Sequence, residues 1–393
     1  MSQQLINRSS DLKRLRDEGY DVGIKSNYLL VKNVPYVNAQ REVKFGTLVS
    51  ELTLAGDVTT KPKTHVVFFA GDHPCNKDGS KMVKIAHTSN KKMLDADLVV
   101  HHSFSSKPKG NYDDFYHKMT TYVAIISSPA MSIEPSVTAK TFPVIVSEES
   151  ESVFNYLDTA SSRAEINVVT RKLELSKVGI VGLGGTGSYV LDLVAKTPIK
   201  EIHLFDGDKF LQHNAFRAPG APSVDELREE RKKVDYFRGQ YSKMRRNIIA
   251  HGDYLDDSNL DQLQGMSFMF LCLDGGVAKK AIVEKLEAFG VPFVDVGMGV
   301  ELVDDALLGV LRFTTSTPNK RQHIREKNRI PFSGDDLDNE YSKNIQIADL
   351  NMLNASLAVI KWKKIFGFYK DFENEHFSTY TIDGNLLVNE DQS

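Results

Sequence analysis

The chain has 393 residues, a formal net charge of −3, 26% charged and 41% hydrophobic residues. That balance leaves no global basic footprint for nucleic acid, and no apolar run approaches the length of a membrane span. Two cysteines, Cys75 and Cys272, exclude a disulfide framework and a four-cysteine zinc site, and Met1 to Ile6 is not a signal peptide, so a reducing cytoplasm is the expected setting. The length predicts two domains, and the acidic, serine-rich stretch at 146–152 predicts their boundary: an α+β domain over 1–150 and an α/β domain over 151–393.

In the first part, residues 10–20 read as a helix. Strands are expected at 28–34, 42–49 and 65–70, and a helix near 113–125, which together suggest an antiparallel sheet. The segment from Lys61 to Met82 has a proline, a strand, then His73-Pro74-Cys75-Asn76 and Gly79, and Ile125 to Pro135 follows as an apolar helix and then a proline-containing loop. It resembles the core of ubiquitin-conjugating enzymes. Two departures imply a non-catalytic relative used for docking. Cys75 displaces the asparagine by one residue to Asn76, and Met82 stands near the place of the nucleophile, where a thioether cannot form a thioester.

Lys177 to Val181 is a β-branched apolar run that feeds into Gly182-Leu-Gly184-Gly185-Thr-Gly187, with a helix pattern over 188–195. Glycines there let the backbone approach a phosphate, and the helix start offers free N–H groups and a positive dipole end. The next strand, 201–205, ends in Asp206-Gly207-Asp208, where a ribose hydroxyl would be held. A nucleotide is the natural ligand, and a tight turn with no ligand is the plain alternative. NAD is the default nucleotide for such a unit. The residues that follow point elsewhere: Asn214-Ala-Phe-Arg217, then Lys232-Lys233, then the strand 267–273 ending in Asp274.

This ordered set resembles the ThiF/MoeB family, which has the fold of ubiquitin-activating enzymes, over about residues 160–310. The resemblance implies a Rossmann-like, mostly parallel sheet with helices on both faces and an ATP-dependent adenylyltransferase. Its substrate would be the C-terminal carboxylate of a small ubiquitin-like protein, passed to a downstream acceptor such as a conjugating enzyme. It further implies that Gly182, Gly184, Gly185, Gly187, Asp206, Asp208 and Asn214 bind ATP, that Arg217 and Lys233 hold phosphates, and that Asp274 holds Mg²⁺. Fixed cations and a metal are what adenylation needs, because charge develops on the α-phosphate and on departing pyrophosphate. Lys232 could replace Lys233, and Asp274 could simply cap the next helix. Arg163, with Arg171 as fallback, would reach a neighbouring subunit's site, since members of the family are homodimers. The tail would run beside ATP along Val296-Gly-Met-Gly299.

The crossover segment after Gly299 has no cysteine where thioester-forming relatives carry one. Three routes remain: release of the acyl-adenylate, an oxyester on Thr314, Thr315, Ser316, Thr317 or Ser333 with His323 the nearest base in sequence, or transfer through Cys75. The first is preferred. A basic run at 319–329 and an acidic one at 335–340 read as a solvated loop, 347–364 as a helix with Trp362 in packing, and 377–388 as two strands joined by a glycine turn. The competing functions are adenylation of a sulfur carrier or peptide, an NAD-dependent oxidoreductase, and a nucleotide-sensing scaffold.

Overall fold

A computed structural model describes residues 2–108, 110–147, 152–274, 276–332 and 345–392. The chain divides into two compact units, 1–145 and 146–393. The first opens with α1 (Ser2–Arg8) and α2 (Ser10–Asp17). Strands β1 (Asp21–Lys25), β2 (Tyr28–Val37), β3 (Val43–Glu51), β4 (Leu54–Ala55), β5 (Val58–Thr59) and β6 (Val66–Ala70) follow. Next come β7 (Ala86–Thr88), β8 (Lys92–Asp95), β9 (Leu98–Val100), β10 (His102–Ser105) and α3 (Phe115–Ile133). Six of these strands pair in the order β1-β2-β3-β6-β10-β7, antiparallel throughout. Asp114 caps α3 by accepting the His117 N–H at 2.7 Å, and the buried Asp11 of α2 accepts the Phe115 N–H at 3.0 Å. These bonds fix α3 over the sheet, where Phe115, Met119, Tyr122 and Ile126 bury the helical stripe.

The Cys75 thiol is no exposed nucleophile. The residue is 1% exposed, its Sγ donates to the His73 carbonyl at 3.1 Å, and burial pushes the thiol up. Met82 is buried in the core that α3 covers.

The second unit starts with the short helices α4 (Thr159–Arg163) and α5 (Asn167–Thr170). Then come β11 (Lys177–Val181), α6 (Gly185–Ala195), β12 (Glu201–Phe205), α7 (Gln212–Ala215), α8 (Val224–Arg228), α9 (Lys233–Tyr241) and β13 (Ile248–His251). The remainder is β14 (Phe268–Leu271), α10 (Val277–Phe289), β15 (Phe293–Val303), β16 (Ala306–Ser316), α11 (His323–Glu326), α12 (Ala348–Ile365), β17 (Phe377–Thr381) and β18 (Leu386–Glu390). One eight-stranded sheet runs β13-β12-β11-β14-β15-β16-β17-β18. Pairings from β13 to β15 are parallel and those from β15 to β18 antiparallel, so the α/β reading holds with a longer antiparallel extension than the sequence suggests.

Val178, Ile180, Ile202, Leu204, Phe268 and Phe270 are fully buried, as near-continuous apolar runs of a doubly covered parallel sheet should be. Trp362 of α12 is a packing residue: it is fully buried, with its ring centroid 5.8 Å from that of Phe270. After β12 and β13 extend one flank, the chain crosses back to place β14 on the other side of β11. The strand order therefore reverses beside β11, and a crevice opens outside the carboxyl ends there.

Candidate active site

Register brings the site together. Val181 pairs with Phe205 and with Leu271, and Leu271 pairs with Asp295. The residues that follow these pairs consequently stand along one edge: Gly182, Asp206 and Cys272, where the chain leaves β11, β12 and β14, and Val296 within β15. They line a cleft of about 530 Å³ with Gly184, Gly185, Asp208, Arg217, Lys233 and Asp274.

The glycines have separate reasons. Gly182 has φ +84°, and a Cβ there would stand 2.5 Å from the Cys272 carbonyl oxygen. Gly185 lies against the Asn351 side chain and Gly187 against the Gly182 carbonyl, so neither position has room for a Cβ. Gly184 faces open space and precedes α6, an eleven-residue helix whose first two residues, Gly185 and Thr186, line the cleft. Gly187 is not among the lining residues; it serves the turn.

Asp206 accepts the Leu183 N–H at 2.6 Å and the Asp208 N–H at 2.9 Å, which braces the glycine loop against the end of β12. Asp208 reaches Lys233 Nζ at 2.6 Å and accepts a hydrogen bond from the Tyr254 hydroxyl. These two neighbours hold its carboxyl below the usual range. Lys233, the first residue of α9, also stands 3.6 Å from Asp206. Lys232 turns away, with its ammonium on the Gly252 carbonyl. Arg217 lines the cleft, and its buried Nε finds no hydrogen-bond partner among the described residues. Asn214 is buried outside the cleft lining; its Oδ1 accepts the Leu211 N–H at 2.8 Å and shapes the turn that carries Arg217. Asp274 lines the cleft, and the cap position of α10 belongs to Gly276. Arg163 is exposed at the end of α4, and neither it nor Arg171 lines this cleft.

On β15, Asp295 is fully buried between Lys279 and Arg312, each 2.7 Å away. Cys272 lies just past β14 rather than within the strand and lines the cleft. Burial, with Asp295 adding to it, pushes its thiol far above the ordinary range, which disarms it as a nucleophile.

The hydroxyl candidates sit elsewhere. Thr314, Thr315 and Ser316 are buried, and none lines the cleft. Thr315 Oγ1 does have a histidine partner, but it is His376 at 2.8 Å, not His323. Thr317 is likewise outside the cleft lining, and Ser333 lies outside the described residues.

The sequence reading missed two groups. One is Tyr254, whose ring covers Gly207. The other is the pair Asn351 and Asn354 on α12, both 1% exposed. The signal for the second was present: two asparagines one turn apart on the apolar face of a packing helix.

Residues 137–302 match the family model described as the ThiF family. The chain carries a ThiF-family domain. Residues 10–159 match a model described as a domain of unknown function, DUF6791. No curated protein matches the chain. Among solved structures, Escherichia coli MccB is 18% identical over 60% of this chain and 68% of its own, with a TM-score of 0.46. MccB with ATP is 18% identical over 59% and 67%, at 0.45. PaaA is 18% identical over 57% and 75%, at 0.42.

Proposed function

We propose that this protein uses ATP and Mg²⁺ to adenylate the C-terminal carboxylate of a small ubiquitin-like protein and releases the acyl group to a separate acceptor. One observation carries the reading: the phosphate loop, Arg217, Lys233 and Asp274, scattered over more than ninety residues of sequence, converge on a single cleft. A hydride-transfer enzyme needs the loop and the acid at the end of β12, but not this gathering of cations with an acid opposite.

Fit supports each group in turn. Arg217 is half-buried, and its Nε, a buried donor with no hydrogen-bond partner among the described residues, suits an anion. The lining carries the carboxylates Asp206, Asp208, Asp253 and Asp274 against the cations Arg217 and Lys233, so a polyanionic nucleotide needs a divalent ion to enter. No cluster of three or more metal-ligating side chains occurs among the described residues. A single carboxylate at Asp274 suits Mg²⁺, which takes most of its ligands from phosphate oxygens and water. When bound, the ion would neutralise charge developing on the phosphates.

In the reaction, a carboxylate oxygen of the substrate attacks the α-phosphorus and the bond to the departing pyrophosphate breaks. Arg217 and Lys233 take up the charge that moves onto the phosphate oxygens. With Cys272 disarmed and the hydroxyls of β16 outside the cleft lining, the adenylate goes to a separate acceptor rather than to one of these side chains. The first unit, read as a docking relative of conjugating enzymes, would receive the partner. The test is ATP–pyrophosphate exchange with small proteins encoded beside this one. Asp274→Asn should lower exchange by roughly 10²-fold or more at unchanged melting temperature. Full exchange in that variant would remove the magnesium assignment.

A further inference from the structure

Asn351 and Asn354 lie three residues apart on α12, and each reaches a different wall of the cleft. Asn351 Oδ1 accepts from Thr186 Oγ1 at 2.9 Å, at the glycine loop. Asn354 lines the cleft itself, and its Nδ2 donates to the Gly297 carbonyl of β15 at 3.1 Å. That bond fixes which end of the carboxamide is which. It leaves Oδ1, a buried acceptor with no partner among the described residues, on a residue that borders the cleft. A buried amide oxygen left unpaired is unfavourable, so the position calls for a donor from the ligand.

The donor cannot be a phosphate, which offers only acceptor oxygens to a bound metal or cation. The donors of ATP are its ribose hydroxyls and adenine amine. On the adenylation reading, on which this inference rests, the ribose sits by Asp206 and Asp208 at the end of β12. The sheet order β12-β11-β14-β15 puts that point three strand spacings from Gly297, roughly 14 Å at 4.8 Å per strand. The donor must therefore come from the second reactant. A carboxylate has no proton of its own to give at neutral pH, and the nearest N–H in a polypeptide is the amide of its terminal residue.

The geometry points to Asn354 as a tail-binding residue: its Oδ1 accepts the amide N–H of the C-terminal residue of the acyl donor, while its Nδ2 holds Gly297 in place. The substrate class is thereby narrowed to acyl donors with a secondary amide next to the reacting carboxylate, that is, a peptide or protein tail not ending in proline. A simple carboxylic acid would leave the oxygen unpaired.

The test uses stable mimics of the adenylate on the full-length protein. Acetylglycyl-sulfamoyl-adenosine carries the amide N–H, and acetoxyacetyl-sulfamoyl-adenosine replaces only that N–H with an ester oxygen. Calorimetry should show the amide binding at least tenfold more tightly, and the ratio should fall towards one in Asn354→Leu. Equal affinities in the unaltered protein, within twofold, would overturn the assignment whether or not the variant folds. Adenosine 5′-sulfamate, which lacks the acyl arm, separates the two readings. If it binds while amide and ester are indistinguishable, Asn354 alone is misassigned. If neither it nor the acyl mimics bind, the adenylation reading falls and takes this inference with it.

Discussion

Arg217 and Lys233 are both cleft cations, yet they stand in opposite electrostatic situations. Lys233 is 8% exposed at its side chain and is engaged by Asp208 and Asp206. Removing it strands Asp206, whose side chain is 6% exposed, as a buried carboxylate without its counter-charge. Arg217 makes no ion pair within 4 Å among the described residues, and its charge reaches only the half-exposed Asp208. Lys233→Met should therefore cost stability, by about 2–4 kcal/mol, as well as exchange activity. Arg217→Gln should weaken ATP binding with a urea midpoint close to that of the unaltered protein. Denaturation and ATP titration of the two variants side by side would show the contrast, and a stability loss in Arg217→Gln as large as in Lys233→Met would refute it. The sequence order proposes both cations; only the fold shows that one also braces the loop. The choice between Lys232 and Lys233 was equally invisible in sequence, because it depends on which face of α9 turns to the end of β12.

Two elements behave as the chemistry of their residues requires. The turn leaving β11 closes because Gly182 occupies a left-handed conformation directly over the Cys272 carbonyl. Gly182→Ala should distort it and abolish nucleotide binding, at a stability cost of about 1–3 kcal/mol; retained ATP affinity by calorimetry would show that the loop tolerates the strain. The approach to β17 carries a pH dependence. Burial, with Lys361 nearby, pulls His376 from 6.5 to about 4. Between those values the unfolded chain binds a proton that the folded one refuses, so stability is full above pH 6.5 and declines as pH falls towards 4. The loss is on the order of 3 kcal/mol at most for this one group. Urea midpoints at pH 7 and pH 5 should differ less in His376→Gln than in the unaltered chain. The strands and helices around the glycine loop were legible because their apolar periods are strong. The long β15–β16 hairpin was not, since the stretch after Gly299 reads as a crossover segment until it pairs back along β15.

Each unit holds its own apolar core: Leu12, Val31, Phe69 and Tyr122 belong to the first, Val178, Phe268, Val294 and Trp362 to the second. Calorimetry should accordingly resolve two unfolding transitions, and ATP should raise only the one that belongs to residues 146–393. A single transition that ATP shifts as a whole would contradict this. At the scale of the molecule, the sequence by itself determined the local devices: which runs form buried strands, where glycine replaces a side chain, and which positions carry charge, since all follow from residue type and short-range spacing. The tertiary structure alone decided which of those charges share a cleft, that Cys272 is disarmed and the β16 hydroxyls are sealed away, and that two asparagines of a packing helix reach the glycine loop and β15. Those outcomes depend on strand register and on the faces that distant helices present, and neither is written in any one stretch of chain.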